Sequence, residues 1–312
     1  MQTSAPRLAG LAIGEAGAAG CREYLSLPGA SPFHVPDTAV DGVSSVGIEL
    51  RAAATRGISH RAHREPRQDA YGFDLGEDWA AFAVADGLGS QVDSQLSSHL
   101  AVQLAVTAAS AALLGGHDPD WASIFGEVSA AIETSLPRAA KGTTLTIAAL
   151  RRESVNWLVS IGSLGDSRAA ILRDGTWCGV ADPPKDHNEL ASSVTEALPV
   201  RDLDRVRAGN GLLVPGQVLA LFSDGIGAAF GKGSGVVGAH LAQWWQTAPP
   251  LLDFAAQVSF QRRGFHDDRS AVVVWNTGPD AVAGRPKSTD SQEGESEALN
   301  SADPSPGSEW RP

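Results

Sequence analysis

Aspartates recur at comparable places in this sequence, each beside an apolar stretch. Asp86 follows "AFAVA" and precedes Gly87, and Asp224 follows "LALFS" and precedes Gly225. Asp267 and Asp268 stand just before "RSAVVVW", Asp69 sits in "RQDAYGF", and Asp166 lies in "GDSR" between two apolar stretches. A carboxylate at the tip of a buried strand is held by a rigid scaffold yet reaches solvent, which is where oxygen can grip a hard cation. A glycine after it lets the backbone come close, so that its carbonyl can add a ligand. Carboxylates and carbonyls without cysteine or clustered histidine select Mg2+ or Mn2+ over zinc. Several such aspartates at one sheet end can hold two ions about 3.5–4 Å apart, which deprotonate a bridging water for in-line attack on phosphorus. A single Asp-Gly pair is an ordinary hairpin turn. The weight lies on the ordered set.

Other chemistries find less support. The two cysteines, Cys21 and Cys178, are far apart and form neither a zinc spacing nor a disulfide framework. Neither lies in a phosphate-cradling loop, which argues against a cysteine nucleophile. No G-x-S-x-G elbow accompanies a triad. The formal net charge of −12 gives no basic face for nucleic acid. No apolar run is expected to cross a membrane and no secretory signal is expected, so a cytoplasmic location is the expectation. Arginine-dominated basic residues with abundant Ala and Gly point to a bacterial source.

The elements that must position the aspartates can be read from hydrophobic patterning. Stretches 79–86, 142–150, 156–175, 217–225 and 269–275 predict strands, with 156–175 a hairpin or consecutive strands. Leu96, Leu100 and Leu104, widened by Val102 and Val106, predict one helix. Trp121, Ile124, Phe125, Val128, Ile132 and Leu136 predict a second, capped by Asp118 or Asp120 and ended by Pro137. Further helices are expected over 240–246 and 251–263. Strands cluster instead of alternating with helices, which predicts an α+β domain with mainly antiparallel sheets. Residues 1–47, rich in Ala, Gly, Ser and Pro, read as an irregular leader, and 48–275 as the catalytic domain. Residues 276–312 have almost no core-forming side chains and read as a disordered acidic tail.

The motifs "RQDA" (67–70), "VADGLGS" (84–90), "GTTLT" (142–146), "GDSRAAIL" (165–172), "LFSDGI" (221–226) and "DDRSAVVV" (267–274), in this order, resemble the type-2C metal-dependent serine/threonine protein phosphatases over residues 48–275. "GISHRAHREPRQDA" is most similar to a bacterial branch. The resemblance implies a four-layer αββα sandwich of two mainly antiparallel sheets flanked by helices. It implies that Asp86 bridges two Mn2+ or Mg2+ ions, that Gly87 offers its carbonyl, and that Asp224 and Asp267 complete the first site. It further implies that Gln68 serves the second ion where many members have Glu, and that Asp166 serves a third, weaker ion. Asp69 is implied to contact metal-bound water, and Arg64 to grip the substrate phosphate, with Arg61 and Arg67 close by as rivals.

Two departures bear on activity. Gln68 is neutral, which weakens a second site, and Leu88 stands where many eukaryotic members carry a histidine proposed as general acid. His60, His63 and His266 are the candidate substitutes, each with an ordinary structural reading beside it. Asp268 is expected to brace its loop. The expected activity is hydrolysis of phosphoserine and phosphothreonine in proteins phosphorylated by a cellular kinase, with specificity supplied by the loops 176–215 and 227–240. Two alternatives stand beside it: a pseudophosphatase that binds phosphoproteins, and an unrelated α+β enzyme acting on small phosphoesters.

Overall fold

A computed structural model describes residues 35–91, 93–180 and 195–278. Elements are numbered in chain order. One antiparallel sheet has six strands in the order β1 (Thr38–Ser45), β2 (Ile48–Thr55), β11 (Arg269–Asn276), β10 (Val218–Phe222), β7 (Arg168–Arg173), β8 (Thr176–Val180). The other has five in the order β3 (Ala70–Leu75), β4 (Trp79–Ala85), β5 (Leu145–Glu153), β6 (Asn156–Leu164), β9 (Arg207–Leu213). The helices are α1 (Ile58–His63), α2 (Gln95–Leu114), α3 (Trp121–Ser135), α4 (Asp224–Phe230), α5 (Val236–Trp244) and α6 (Leu251–Val258).

Strand alternation explains the layering. Val272 and Val274 of β11 and Leu219 and Leu221 of β10 meet Phe82 and Val84 of β4 between the two sheets. The opposite faces of the same strands, with Val273, Trp275 and Phe222, pack under α4, α5 and α6. Ala81, Ala83 and Ala85 of β4 pack under α2 and α3. A strand covered on both faces reads as a near-continuous apolar run: all eight residues of β11 are buried, and Ala271–Trp275 at its centre are apolar. Fully buried Trp245 and Phe254 lie 5.5 Å apart, ring to ring, in the outer core, and each such burial contributes about 1.5–3 kcal/mol. The expected αββα sandwich is the fold found.

Pairing register gathers the aspartates at one end of the sandwich. Phe222 at the close of β10 pairs with Ala271 near the start of β11 and with Arg168 at the start of β7. Ala85 at the close of β4 pairs with Ala70 at the start of β3. Residues 165–167 link β6 to β7 and so pass from one sheet to the other at that end. The loops holding Asp69, Asp86, Asp166, Asp224 and Asp267 all leave the strands there.

Several expectations are corrected. Residues 38–45, read as leader, form β1, whose side chains are all exposed or half-buried, as suits an edge strand; residues 1–34 and 279–312 lie outside the described residues. Of the two readings of 156–175, consecutive strands is the one found: β6 and β7 follow one another but belong to different sheets. The Asp174-Gly175 pair does turn β7 into β8, with φ of 49° and 72°. By contrast, Asp224-Gly225 opens α4.

The leucine stripe is only the margin of the buried face of α2, with Leu100 and Leu104 partly buried against the core. Ala101, Val102, Ala105, Val106 and Ala109 are buried, while Leu96 is 45% exposed. Small residues let the helix lie close on the alanines of β4. At 20 residues α2 is long and apolar enough to cross a membrane, contrary to expectation. Half of its apolar window is buried in this fold, as in a core helix. The α3 cap is Asp120, whose carboxylate accepts from Ser123 N, and α6 stops at Val258.

Candidate metal centre

Asp86 closes β4, and its main chain is fixed from both sides. Thr144 N and Thr143 Oγ1 donate to Asp86 O at 2.8 and 2.9 Å, and Asp86 N donates to Thr144 Oγ1 at 3.0 Å. Gly87 is required: a Cβ there would lie 2.7 Å from Ser94 Oγ and 2.9 Å from the Ser94 backbone at the start of α2. Asp224 is the first residue of α4, and the Gly231 carbonyl just past that helix's far end accepts from Arg168 Nη1 at 3.0 Å. Arg168 stands two residues after Asp166, so one side chain ties the Asp166 loop to the helix that starts at Asp224.

Carboxylate oxygens of Asp86, Asp166 and Asp224 all lie within 4.8 Å of one another. His60, Asp267 and Asp268 form an adjacent group with the same spacing. Asp267 therefore belongs to the second group and not to the tight trio, although its charge reaches both Asp86 and Asp224. Burial and the charges of Asp69 and Asp224 push the Asp86 carboxyl well up. Burial, with Asp267 and Asp166 opposing the contact of Asp86, raises Asp224 to about 6. Burial and then Asp268 raise Asp267. Like charges crowded in this way favour a bound cation.

Asp69 is buried beneath these groups and accepts from Ser223 Oγ at 2.6 Å. Burial and the charge of Asp268 push it well up. Ser223 Oγ in turn accepts from Ser270 N at 3.0 Å. Asp268 is the brace expected of it: Gly57 N and Gln68 N donate to its two oxygens at 2.6 and 2.5 Å, and His60 Nδ1 lies 2.9 Å from Oδ1. Burial works against a charged His60 ring, but Asp268, helped by Asp267 and Glu65, holds its pKa up at about 9. His60 thus faces Asp268 from within the buried side, while His63 and His266 are exposed.

Buried Arg67 and Arg269 lie on the Asp69–Asp268 side, where burial lowers both and the carboxylates raise them. Arg67 donates to Ala54 O at 3.0 Å, and Arg61 lies 3.8 Å from Asp37. Arg64, exposed at the C-cap of α1 with φ of 60°, makes no side-chain hydrogen bond or ion pair among the described residues. Of the three arginines it is the one without such a bond among the described residues. Among the described residues no hydrogen bond or ion pair joins it to the aspartates.

The trio fits a hard divalent cation. All its donors are oxygens, and Asp224 Oδ1 is buried without a hydrogen-bond partner. Gln68 Oε1 is likewise buried and unpartnered. It is a neutral oxygen beside the Asp86–Gly87 turn, whose Gly87 N donates to Gln68 O at 3.3 Å.

The family model described as "Protein phosphatase 2C" matches residues 56–256. The chain belongs to that family. Similar solved structures include a serine/threonine phosphatase of S. agalactiae, at 17% identity over 76% of this chain and 99% of that one, with a TM-score of 0.49. PppA, described as a key regulatory component of T6SS in Pseudomonas aeruginosa, is 21% identical over 75% of this chain and 99% of its own, with a TM-score of 0.49. The catalytic domain of the serine threonine protein phosphatase PstP, in complex with two manganese ions, is 18% identical over 73% and 97%, with a TM-score of 0.47. No curated protein matches the chain.

The matched span of this phosphatase 2C chain contains Gln68, Asp69, Asp86, Asp166 and Asp224 and stops before Asp267 and Asp268. Sequence reasoning missed Ser223 and Thr195, which bind Asp69 and Asp166. Ser223 sits inside the quoted "LFSDGI", so the signal was present. Thr195 carries no motif, and only the fold places it.

Proposed function

We propose that this chain is a metal-dependent serine/threonine protein phosphatase acting on kinase-phosphorylated proteins in the cytoplasm. The observation that carries this reading is the Asp86–Asp166–Asp224 trio, with oxygens within 4.8 Å of one another and Asp224 Oδ1 unpartnered. Divalent ions of the Mg2+ or Mn2+ type, held there, supply charge neutralisation for phosphate and an activated water.

The chain's own residues do the rest. Asp86 and Asp224 present oxygens from two different sheets, fixed by the Thr143 and Thr144 hydroxyls that clasp the Asp86 main chain and by the start of α4. Asp166 supports the outer side of the same cluster, and Asp267 shapes the field from the neighbouring group. Asp69, Ser223 and Asp268 hold the floor, and Arg64 offers a planar fork to phosphate oxygens.

The test is release of phosphate from a phosphothreonine peptide with Mn2+, with and without chelator, for the wild type and Asp86→Asn. The reading expects turnover that the chelator abolishes and that Asp86→Asn cuts by about a hundredfold or more, the scale of losing a preorganised charge. Mn2+ binding without turnover would make the chain a pseudophosphatase. Turnover of small phosphomonoesters but not of the phosphopeptide would point to another phosphoesterase.

A further inference from the structure

Asp166 is an exposed side chain in a short inter-sheet link, which leaves it free to turn away from its partners. Among the described residues a single side-chain hydrogen bond restrains it: Thr195 Oγ1 donates to Asp166 Oδ2 at 3.0 Å. That bond fixes the direction of the carboxylate, an oxygen of which lies within 4.8 Å of Asp86 and Asp224.

The segment carrying Thr195 is itself anchored to the site. Leu198 and Thr143 exchange backbone hydrogen bonds at 2.8 and 3.2 Å, and Thr143 is also bridged to Gly87. Thr143 Oγ1 holds Asp86 O. Close to Thr195, Glu196 O presses on Gly165, where a Cβ would lie 2.9 Å away and φ is +101°. Arg207 donates to Gly165 O at 2.6 Å and lies 4.0 Å from Glu196 Oε2. Residues 195–198 thus touch the Asp86 turn and the Asp166 loop together.

We propose that Thr195 is a positioning residue: its hydroxyl holds Asp166 in the orientation in which it joins Asp86 and Asp224 around a divalent ion. The inference rests on the metal-dependent reading above and adds to it a residue outside the ligand set. A hydrogen-bonded outer partner orients a ligand and lowers the ordering cost of binding. The same backbone ladder makes the geometry of Asp166 depend on that of Asp86.

The test compares Thr195→Val, which keeps the β-branched shape without the hydroxyl, with Thr195→Ser, which keeps the hydroxyl. Mn2+ affinity is read by titration calorimetry on the full chain, and melting temperature is read in chelator. Thr195→Val should weaken the weakest Mn2+ site by on the order of tenfold, the low end for losing such a partner, with Ser restoring it. Its melting temperature in chelator should stay at the wild-type value. Placed on Asp166→Asn, the Val change should cost nothing further, because the two act through one contact. Wild-type affinity in Thr195→Val overturns the proposal, and so does a loss that persists in the Asp166→Asn background. A wild type that binds no Mn2+ sinks this inference and the metal reading together. Tight Mn2+ binding without phosphopeptide turnover sinks the activity alone.

Discussion

Replacing Gly225 by alanine should break the site from behind. A Cβ at Gly225 would sit 1.8 Å from the Asp268 carbonyl oxygen, about 1.6 Å short of the 3.4 Å at which ordinary contact begins. The obstacle is backbone, so no side-chain rotation relieves it. Gly57 closes the other side, where a Cβ would lie 2.3 Å from Asp267 C. The 267–268 backbone, pressed between two glycines, therefore cannot simply slide across. Moving it strains the bonds from Gly57 N and Gln68 N to Asp268, at 2.6 and 2.5 Å. Overpacking costs about 1–3 kcal/mol, and a hydrogen bond to a charged group contributes roughly 1.5–3 kcal/mol. A loss of about 3 kcal/mol follows, or roughly 10 °C in melting temperature for a domain of this size. A displacement near 1 Å at the reacting centre also costs about a hundredfold in rate. Thermal melts in chelator and a phosphopeptide assay read the two effects. Wild-type values in both would refute the account of how Asp267 and Asp268 are held.

Gly126 is the counter-case: it lies inside α3 with only Leu203 Cδ1 at 3.5 Å, so Gly126→Ala should stabilise by about 0.5–1 kcal/mol in a denaturant titration. Arg64→Ala should lower kcat/KM for a phosphopeptide by roughly 1.5–3 kcal/mol, mostly through KM, while calorimetric Mn2+ affinity stays unchanged. For the metal-free protein the pH dependence has a definite sign. Asp224 is raised to about 6 and His60 to about 9, so each contributes stability that is present below its unfolded pKa and lost as pH rises through the folded value. Melting temperature in chelator should accordingly fall from pH 4 to pH 9. The gain on adding Mn2+ should grow as pH passes 6, because the ion binds the ionised carboxylate. A metal-free protein that grows more stable over that range would contradict the crowding of the carboxylates.

The order of the aspartates was legible because each is joined to an apolar strand, and α3 because six apolar residues keep strict helical spacing. β1 was not: Asp41 and Gly42 interrupt a half-exposed edge strand whose pattern is no more apolar than a linker. α4 hid because Asp-Gly after a strand reads as a turn, whereas here the pair opens a helix whose Gly225 lies close against the Asp268 backbone. The leucines of α2 misled because burial there is decided by how closely alanines let two backbones approach. The grouping of Asp267 with His60, and not with the trio, depends on side-chain direction, which spacing does not encode. The Thr195–Asp166 bond joins residues 29 apart and needed the fold.

Anomalous diffraction from a crystal soaked in Mn2+ tests the central claim most directly. The account predicts an anomalous peak bounded by oxygens of Asp86 and Asp224, with Asp166 on its outer side. An empty trio, or a peak confined to His60, Asp267 and Asp268, would contradict it.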